Sequence, residues 1–206
     1  MFKVEWNGGQ FERGLSDVAN RQLPFALMLT INDATDDIKA NTLKTLEKKF
    51  DRPTPFTKRG VYTRRASKRR LIGEVGFKKI QAEYLMLNIT GGIRLPKRNA
   101  ILMPVAQRKN KYGNLPRGSV KRAVARRDTF VASKNDPRTR HLQPGIYKRK
   151  SKSRRRAAGA VLLVSFRDRA KYRKRYDFHD AAEKTALVVL PRHFVKNMRR
   201  AMATAK

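Results

Sequence analysis

The sequence predicts an α+β fold: a long N-terminal helix and a C-terminal helix packed on a small, mostly antiparallel sheet, with a long basic, loop-rich insertion leaving its middle. Three observations carry this. Apolar residues recur at helical spacing near the N-terminus and again near the C-terminus. Short segments of alternating character, bounded by Gly, Pro and Ser, lie between them. Residues 107–158 hold turn signals and basic clusters in place of any sustained apolar period. A chain of 206 residues is long enough for one domain with a real core, or one domain plus basic extensions. It reads as a single domain over residues 1–206, with 107–158 as an insertion within it.

Phe2 to Trp6 alternates apolar and polar residues and predicts a short strand closed by Gly8-Gly9. Leu15 to Gln22 predicts a short helix with Ser16 as its cap. Leu23-Pro24 opens the long helix, because proline suits a first turn. Leu27, Ile31, Ala34 and Ile38, then Leu43, Leu46 and Phe50, set its apolar spacing, and its length comes to roughly 40 Å at the helical rise. Arg52-Pro53-Thr54-Pro55 ends it, since each proline disfavours helix in the residue before it. Gly60 to Ala66 and Leu71 to Lys78 predict two strands joined by the basic turn Ser67-Lys68-Arg69-Arg70. Ile80 to Ile89 reads as a helix stopped by Gly91-Gly92, and Ile101 to Val105 as a strand. Ser119 to Arg127 predicts a helix with Val120, Ala123 and Val124 on one side. Turn signals stand at Tyr112-Gly113-Asn114, Asn135-Asp136-Pro137 and Pro144-Gly145. Ala160 to Phe166 is a strong strand, and the last helix, from Asp177 to about Ala203, is expected to break or kink at Pro191.

Charge is distributed unevenly. Residues 1–57 hold 8 Lys/Arg and 8 Asp/Glu, whereas residues 58–206 hold 42 against 8, so the whole net charge of +34 belongs to that second stretch. Such a body repels itself unless a polyanion or an acidic protein neutralises it. The candidate contact residues are Arg64, Arg65, Lys68, Arg69 and Arg70, then Lys148, Arg149 and Lys150. The later clusters add Arg154, Arg155 and Arg156, and Arg173, Lys174 and Arg175. Tyr112, Tyr147, Tyr172 and Tyr176 are interleaved with them. Phosphate contacts need only positive charge and reach, so these clusters carry no base-sequence information, and acidic protein surfaces satisfy them equally.

No catalytic constellation is legible. The absence of cysteine excludes disulfides, thiol catalysis and thiolate zinc sites. His141, His179 and His193 are isolated, with no HxH or HExxH spacing, and Ser165 has no GxSxG context. Gly73-Glu74-Val75-Gly76 lies in a predicted strand and lacks the Lys-Ser/Thr ending of a phosphate loop. Asp33, Asp36 and Asp37 share a helix face; with no matching ligand group, they read as an acidic stripe pairing with basic residues of this chain or a neighbour. No enzyme and no cofactor is expected. The first ten residues have no secretory-signal pattern, and the apolar run Ala157 to Val164 is far short of the roughly 20 residues that span a bilayer. A soluble protein made in the cytoplasm, with no membrane span, is the expectation.

The string Phe50-Asp51-Arg52-Pro53-Thr54-Pro55-Phe56-Thr57, ahead of a Val-Tyr strand and a Lys/Arg-rich turn, resembles a group of tailed-phage and prophage structural proteins. Glu83-Tyr84-Leu85 running to Gly91-Gly92-Ile93-Arg94, Tyr112-Gly113-Asn114 with Arg117-Gly118, and Pro144-Gly145-Ile146-Tyr147 follow in the same order as in that group. More distantly, the long helix, basic middle and C-terminal helix look like the minor tail protein Z and tail-completion proteins of lambda-like phages. The resemblance implies a virion structural protein of the head-to-tail junction or tail. Its partners would be other neck, tail or portal proteins, further copies of itself in a cyclic oligomer, and packaged DNA. An adaptor or tail-tube role in a short-tailed phage fits equally. Residues 119–143 are more basic and less regular than that group's pattern. The alternative is an RNA-binding protein of the ribosomal type, for which basic globules with long basic loops are typical.

Overall fold

The computed structural model describes residue 16, residues 18–151 and residues 159–204. In chain order its elements are α1 (Leu23–Lys49), α2 (Pro55–Lys58), β1 (Val61–Arg64), β2 (Glu74–Phe77), α3 (Lys79–Ile89), β3 (Gly92–Arg94) and β4 (Ile101–Pro104). There follow α4 (Ser119–Val124), β5 (Thr129–Ala132), β6 (Gly145–Lys150), β7 (Gly159–Arg167), β8 (Ala170–Tyr172) and α5 (Phe178–Ala203). The fold is α+β, with two long helices and small antiparallel sheets, as the sequence predicts. The residues fall into two compact units. One comprises the described part of Met1–Phe50 with Pro55–Tyr84 and Tyr176–Lys206; the other comprises Asp51–Thr54 and Leu85–Arg175. The predicted strand Phe2 to Trp6 lies outside the described residues.

In the first unit α1 packs along α5 and against the β1–β2 hairpin. A π-helical turn, Val18–Gln22, leads into α1, and Pro24 takes the expected first-turn place. Apart from Leu46, the most buried positions of α1 are not its large apolar residues. Ala26, Thr30, Asn32, Ala34, Thr35, Thr42 and Leu46 are buried, while Leu27, Ile31, Ile38 and Leu43 are half-buried. The threonines can go inside because their hydroxyls bond back to the helix: Thr30 donates to the Ala26 carbonyl and Thr42 to the Ile38 carbonyl, each at 2.7 Å. The small side chains let α5 approach closely. Between the two helices, Asn41 donates to Thr185 at 2.7 Å, Asp37 meets His193 at 2.8 Å, and Asn197 donates to Asp33 at 3.1 Å. The acidic stripe of α1 therefore does pair within its own chain.

Asn32 also does the work of a strand neighbour. Its amide Nδ2 donates to the Ala66 carbonyl at 3.2 Å and its Oδ1 accepts from the Ala66 N–H at 2.8 Å, all of it buried. Asn32→Ala strands both backbone groups of Ala66 away from water. A loss of about 2 kcal/mol in a denaturant titration is expected. A shift of no more than a few tenths would show that this pairing does not hold the hairpin on α1. On the far side of the hairpin, Ser67 and Arg70 exchange backbone hydrogen bonds at 2.9 and 3.1 Å, closing the predicted basic turn.

α5 is continuous through Pro191, so the expected break does not occur. Pro191 removes one N–H and crowds the Leu187 carbonyl, but Leu187 and Pro191 are both exposed, where water can serve the released carbonyl. The core of this unit closes on aromatic rings. Tyr176 is fully buried, edge-on to Phe50 at 5.5 Å and to Phe77 at 6.2 Å, and Phe178 lies 5.0 Å from Phe77.

In the second unit a four-stranded antiparallel sheet has the order β4-β7-β6-β5, and β3 pairs with β8 as a separate ribbon. The strand predicted at Ala160 to Phe166 is β7, the longest; it does not join the β1–β2 sheet as a single-sheet architecture would require. α4 covers this sheet: Ala123 packs with Ile146, Leu163 and Val164, joined by Leu115, Val120 and Phe166. The described part of 107–158 is thus less loop-like than its sequence suggests, since α4, β5 and β6 lie in it. The predicted turn at Tyr112-Gly113-Asn114 is present, with the Asn110 side chain accepting from the N–H of Tyr112 and of Asn114 at 3.0 Å and Gly113 at φ 78°. Pro144-Gly145 is not a turn; Gly145 begins β6.

Candidate polyanion interface

The two units differ sharply in charge. Counted on the sequence, Asp51–Thr54 and Leu85–Arg175 carry 28 Lys/Arg against 4 Asp/Glu, and the remainder carries 22 against 12. The excess is therefore concentrated in the unit built on the four-stranded sheet, where four carboxylates cannot neutralise the cations. Local pairing is weak in any case, since exposed ion pairs contribute little in water.

On the hairpin of the first unit, three of the candidate residues are engaged by carboxylates. Arg64 lies 3.3 Å and Arg70 3.7 Å from Glu74, and Arg65 donates to Asp36 at 2.7 Å. Lys68 sits over the Phe25 ring, 4.8 Å from its centre, and Arg69 stands exposed at the tip of the turn. The antiparallel register explains the grouping. Arg64 and Glu74 are cross-strand partners, and the turn brings Arg70 back to the same carboxylate. The hairpin cations are thus partly spent on their own unit.

In the second unit Lys148, Arg149 and Lys150 form the outer half of β6. Arg149 is engaged by its own unit. Its Nη1 donates to the Arg127 and Thr129 carbonyls at 3.2 Å, and its guanidinium lies 5.1 Å from the Phe130 ring centre. Phe130 in turn stacks on Tyr147 at 5.4 Å and 14°. Lys148 reaches Asp128 at 3.7 Å, and Arg126 clasps the same carboxylate with two hydrogen bonds of 2.9 and 2.8 Å. Those bonds, then the nearby charges of Arg126 and Lys148, hold the Asp128 carboxyl below its ordinary range. One carboxylate thus positions two cations, while Lys150 points on into solvent. The sequence does not single out Arg126 or Asp128; the Arg-x-Asp spacing at the end of α4 is the only signal.

Arg173, Lys174 and Arg175 follow β8 and are exposed. Arg175 is fixed to Asn88, its Nε donating to Oδ1 at 2.8 Å and its N–H to the Asn88 carbonyl at 2.9 Å. Arg154, Arg155 and Arg156 lie outside the described residues, in the connection between the paired ends Lys150 and Gly159. Tyr147 and Tyr176 are buried and serve packing, not contact.

Among the described residues no group of three or more His, Asp or Glu is placed to hold a metal ion, and no helix is long and apolar enough to cross a membrane. Comparison with protein-family models, with curated proteins and with solved structures gives no match.

Proposed function

We propose that this chain is a non-enzymatic structural protein of a phage virion, acting at the head-to-tail junction or in the tail and assembled as a ring. Its basic surfaces would contact acidic neighbours or packaged DNA. The observation that carries the reading is the segregation of charge: the stretches of sequence assigned to the second unit hold 28 cations against 4 carboxylates, and one of those cations, Arg149, is held by two backbone carbonyls beside the Phe130 ring. A unit of that charge is self-repelling alone and is neutralised in an assembly that supplies anions. The resemblance carried by FDRPTPFT and the motifs after it supplies the kind of assembly.

Mass spectrometry of purified virions tests it, with empty and tail-less particles run beside full ones. The protein is expected in low copy number, following the connector or tail fraction. If it is missing from particles and recovered on ribosomes, the virion reading falls and the RNA-binding one replaces it.

A further inference from the structure

Among the described residues, α5 presents an uncovered apolar stripe on the side away from α1. Thr185, His193 and Asn197 face α1 and are hydrogen-bonded to it. On the other side Val188, Pro191, Val195, Met198 and Met202 recur at alternating spacings of three and four, the repeat of a helix seam. Leu187 widens the stripe. Leu187 is 69% exposed, Val188 62% and Val195 50%, and the C-terminal part of the stripe forms a groove of about 460 Å³. A continuous apolar face on a long, well-anchored helix marks a protein contact, because isolated exposed apolar residues do not line up in a heptad.

Charge identifies the partner. Between Lys184 and Met202 the helix carries five Lys/Arg and no Asp or Glu. Lys196 is engaged by Asp33 at 3.5 Å, but Arg192 and Arg199 flank the stripe, seven residues apart on one side, and Arg199 lines the groove. A second copy of α5 laid on this face would set cations against cations. We infer that the outer face of α5 docks an acidic amphipathic helix of another protein, with its apolar ridge on Val188 to Met202 and its carboxylates on Arg192 and Arg199. This docking face uses none of the residues of the polyanion interface and does not rest on the virion reading.

A labelled three-heptad peptide tests the inference, with Leu at its seam positions and Glu beside them, binding being followed by fluorescence anisotropy on the full chain. Two control peptides replace the flanking Glu by Lys, or the seam Leu by Ser with every Glu kept. The Glu/Leu peptide is expected to bind at least about tenfold tighter than either control. Val188→Asn with Val195→Asn, both at exposed sites, should lower that affinity about tenfold while leaving the circular dichroism spectrum unchanged. Arg192→Glu with Arg199→Glu should transfer the preference to the Lys peptide. Equal binding of the Ser peptide would reduce the effect to general attraction of polyanions and overturn the inference. Concentration-dependent self-association abolished by the two Val substitutions would overturn it as well, since the occupant would then be a second copy.

Discussion

Tyr176→Ala is expected to lower the stability of the first unit by about 4 kcal/mol, the range for deleting a large buried aromatic. Tyr176 is wholly buried and meets Phe50, Phe77 and Phe178, so no neighbour can fill the space without leaving another ring. Its hydroxyl donates to the Thr42 carbonyl at 3.2 Å, which ties the entry of α5 to the C-terminal third of α1. Tyr176→Phe keeps the rings and loses only that bond, so it should cost about 1 kcal/mol. Denaturant titration followed by hydrogen exchange in α1 and α5 measures both. Equal effects from the two substitutions would show that the hydroxyl, not the ring, holds the cluster.

Burial also pushes the Tyr176 phenol up to about 12. The sign follows from which state loses the proton first. The unfolded chain ionises near the ordinary value of about 10 while the folded chain stays neutral, so stability is complete below that pH and falls as pH rises toward 12. The loss from this group is on the order of 2 kcal/mol. Ultraviolet titration should show a phenolate step near pH 12 that is missing in Tyr176→Phe.

Gly145→Ala is expected to destabilise the second unit by about 3 kcal/mol, through overpacking. A Cβ at this position would lie 2.4 Å from the Val164 carbonyl oxygen and 2.6 Å from Leu162 Cδ1. The first of these is backbone in the neighbouring central strand and cannot step aside without opening the β6–β7 ladder. Gly159 lies at the other end of the same ladder, and a Cβ there meets nothing within 4 Å. Gly159→Ala should therefore change stability by less than about 0.5 kcal/mol. Hydrogen exchange of the β5, β6 and β7 amides reads the contrast. Similar protection in the two variants would show that the strands do not approach at Gly145 as closely as described.

The long helices, the hairpin Val61 to Phe77 and the strand Ala160 to Phe166 were all legible, because each is a local pattern bounded by its own stop signal. α1 ends where FDRPTPFT begins: Phe50 is extended, whereas Arg52, ahead of Pro53, takes the left-handed φ of 49° while clasping Asp51 at 3.0 and 2.9 Å. β6 was hidden for an identifiable reason. The register shifts between Ile146 and Tyr147, so two apolar neighbours both turn inward, and the rest of the strand is Lys-Arg-Lys. Of the break or kink expected at Pro191 the break is absent, since a proline on a solvent face of a long helix need not break it. At the candidate interface the clusters were plain in the sequence, but not their different circumstances. Arg64, Arg65 and Arg70 are engaged by Glu74 and Asp36, whereas Lys150 and Arg173 stand exposed.

By itself the sequence determined the α+β class, the positions of the long helices and the surplus of positive charge, because periodicity, proline stops and composition are local or additive properties. Only the tertiary structure decided which face each helix buries, that the strands divide among separate sheets, and that Arg149 is pinned by carbonyls far away in the sequence. Those are facts of pairing between distant segments. Buried threonines in α1 and an exposed apolar stripe on α5 show the reason most directly: burial depends on what lies opposite a residue, and no single segment contains that information.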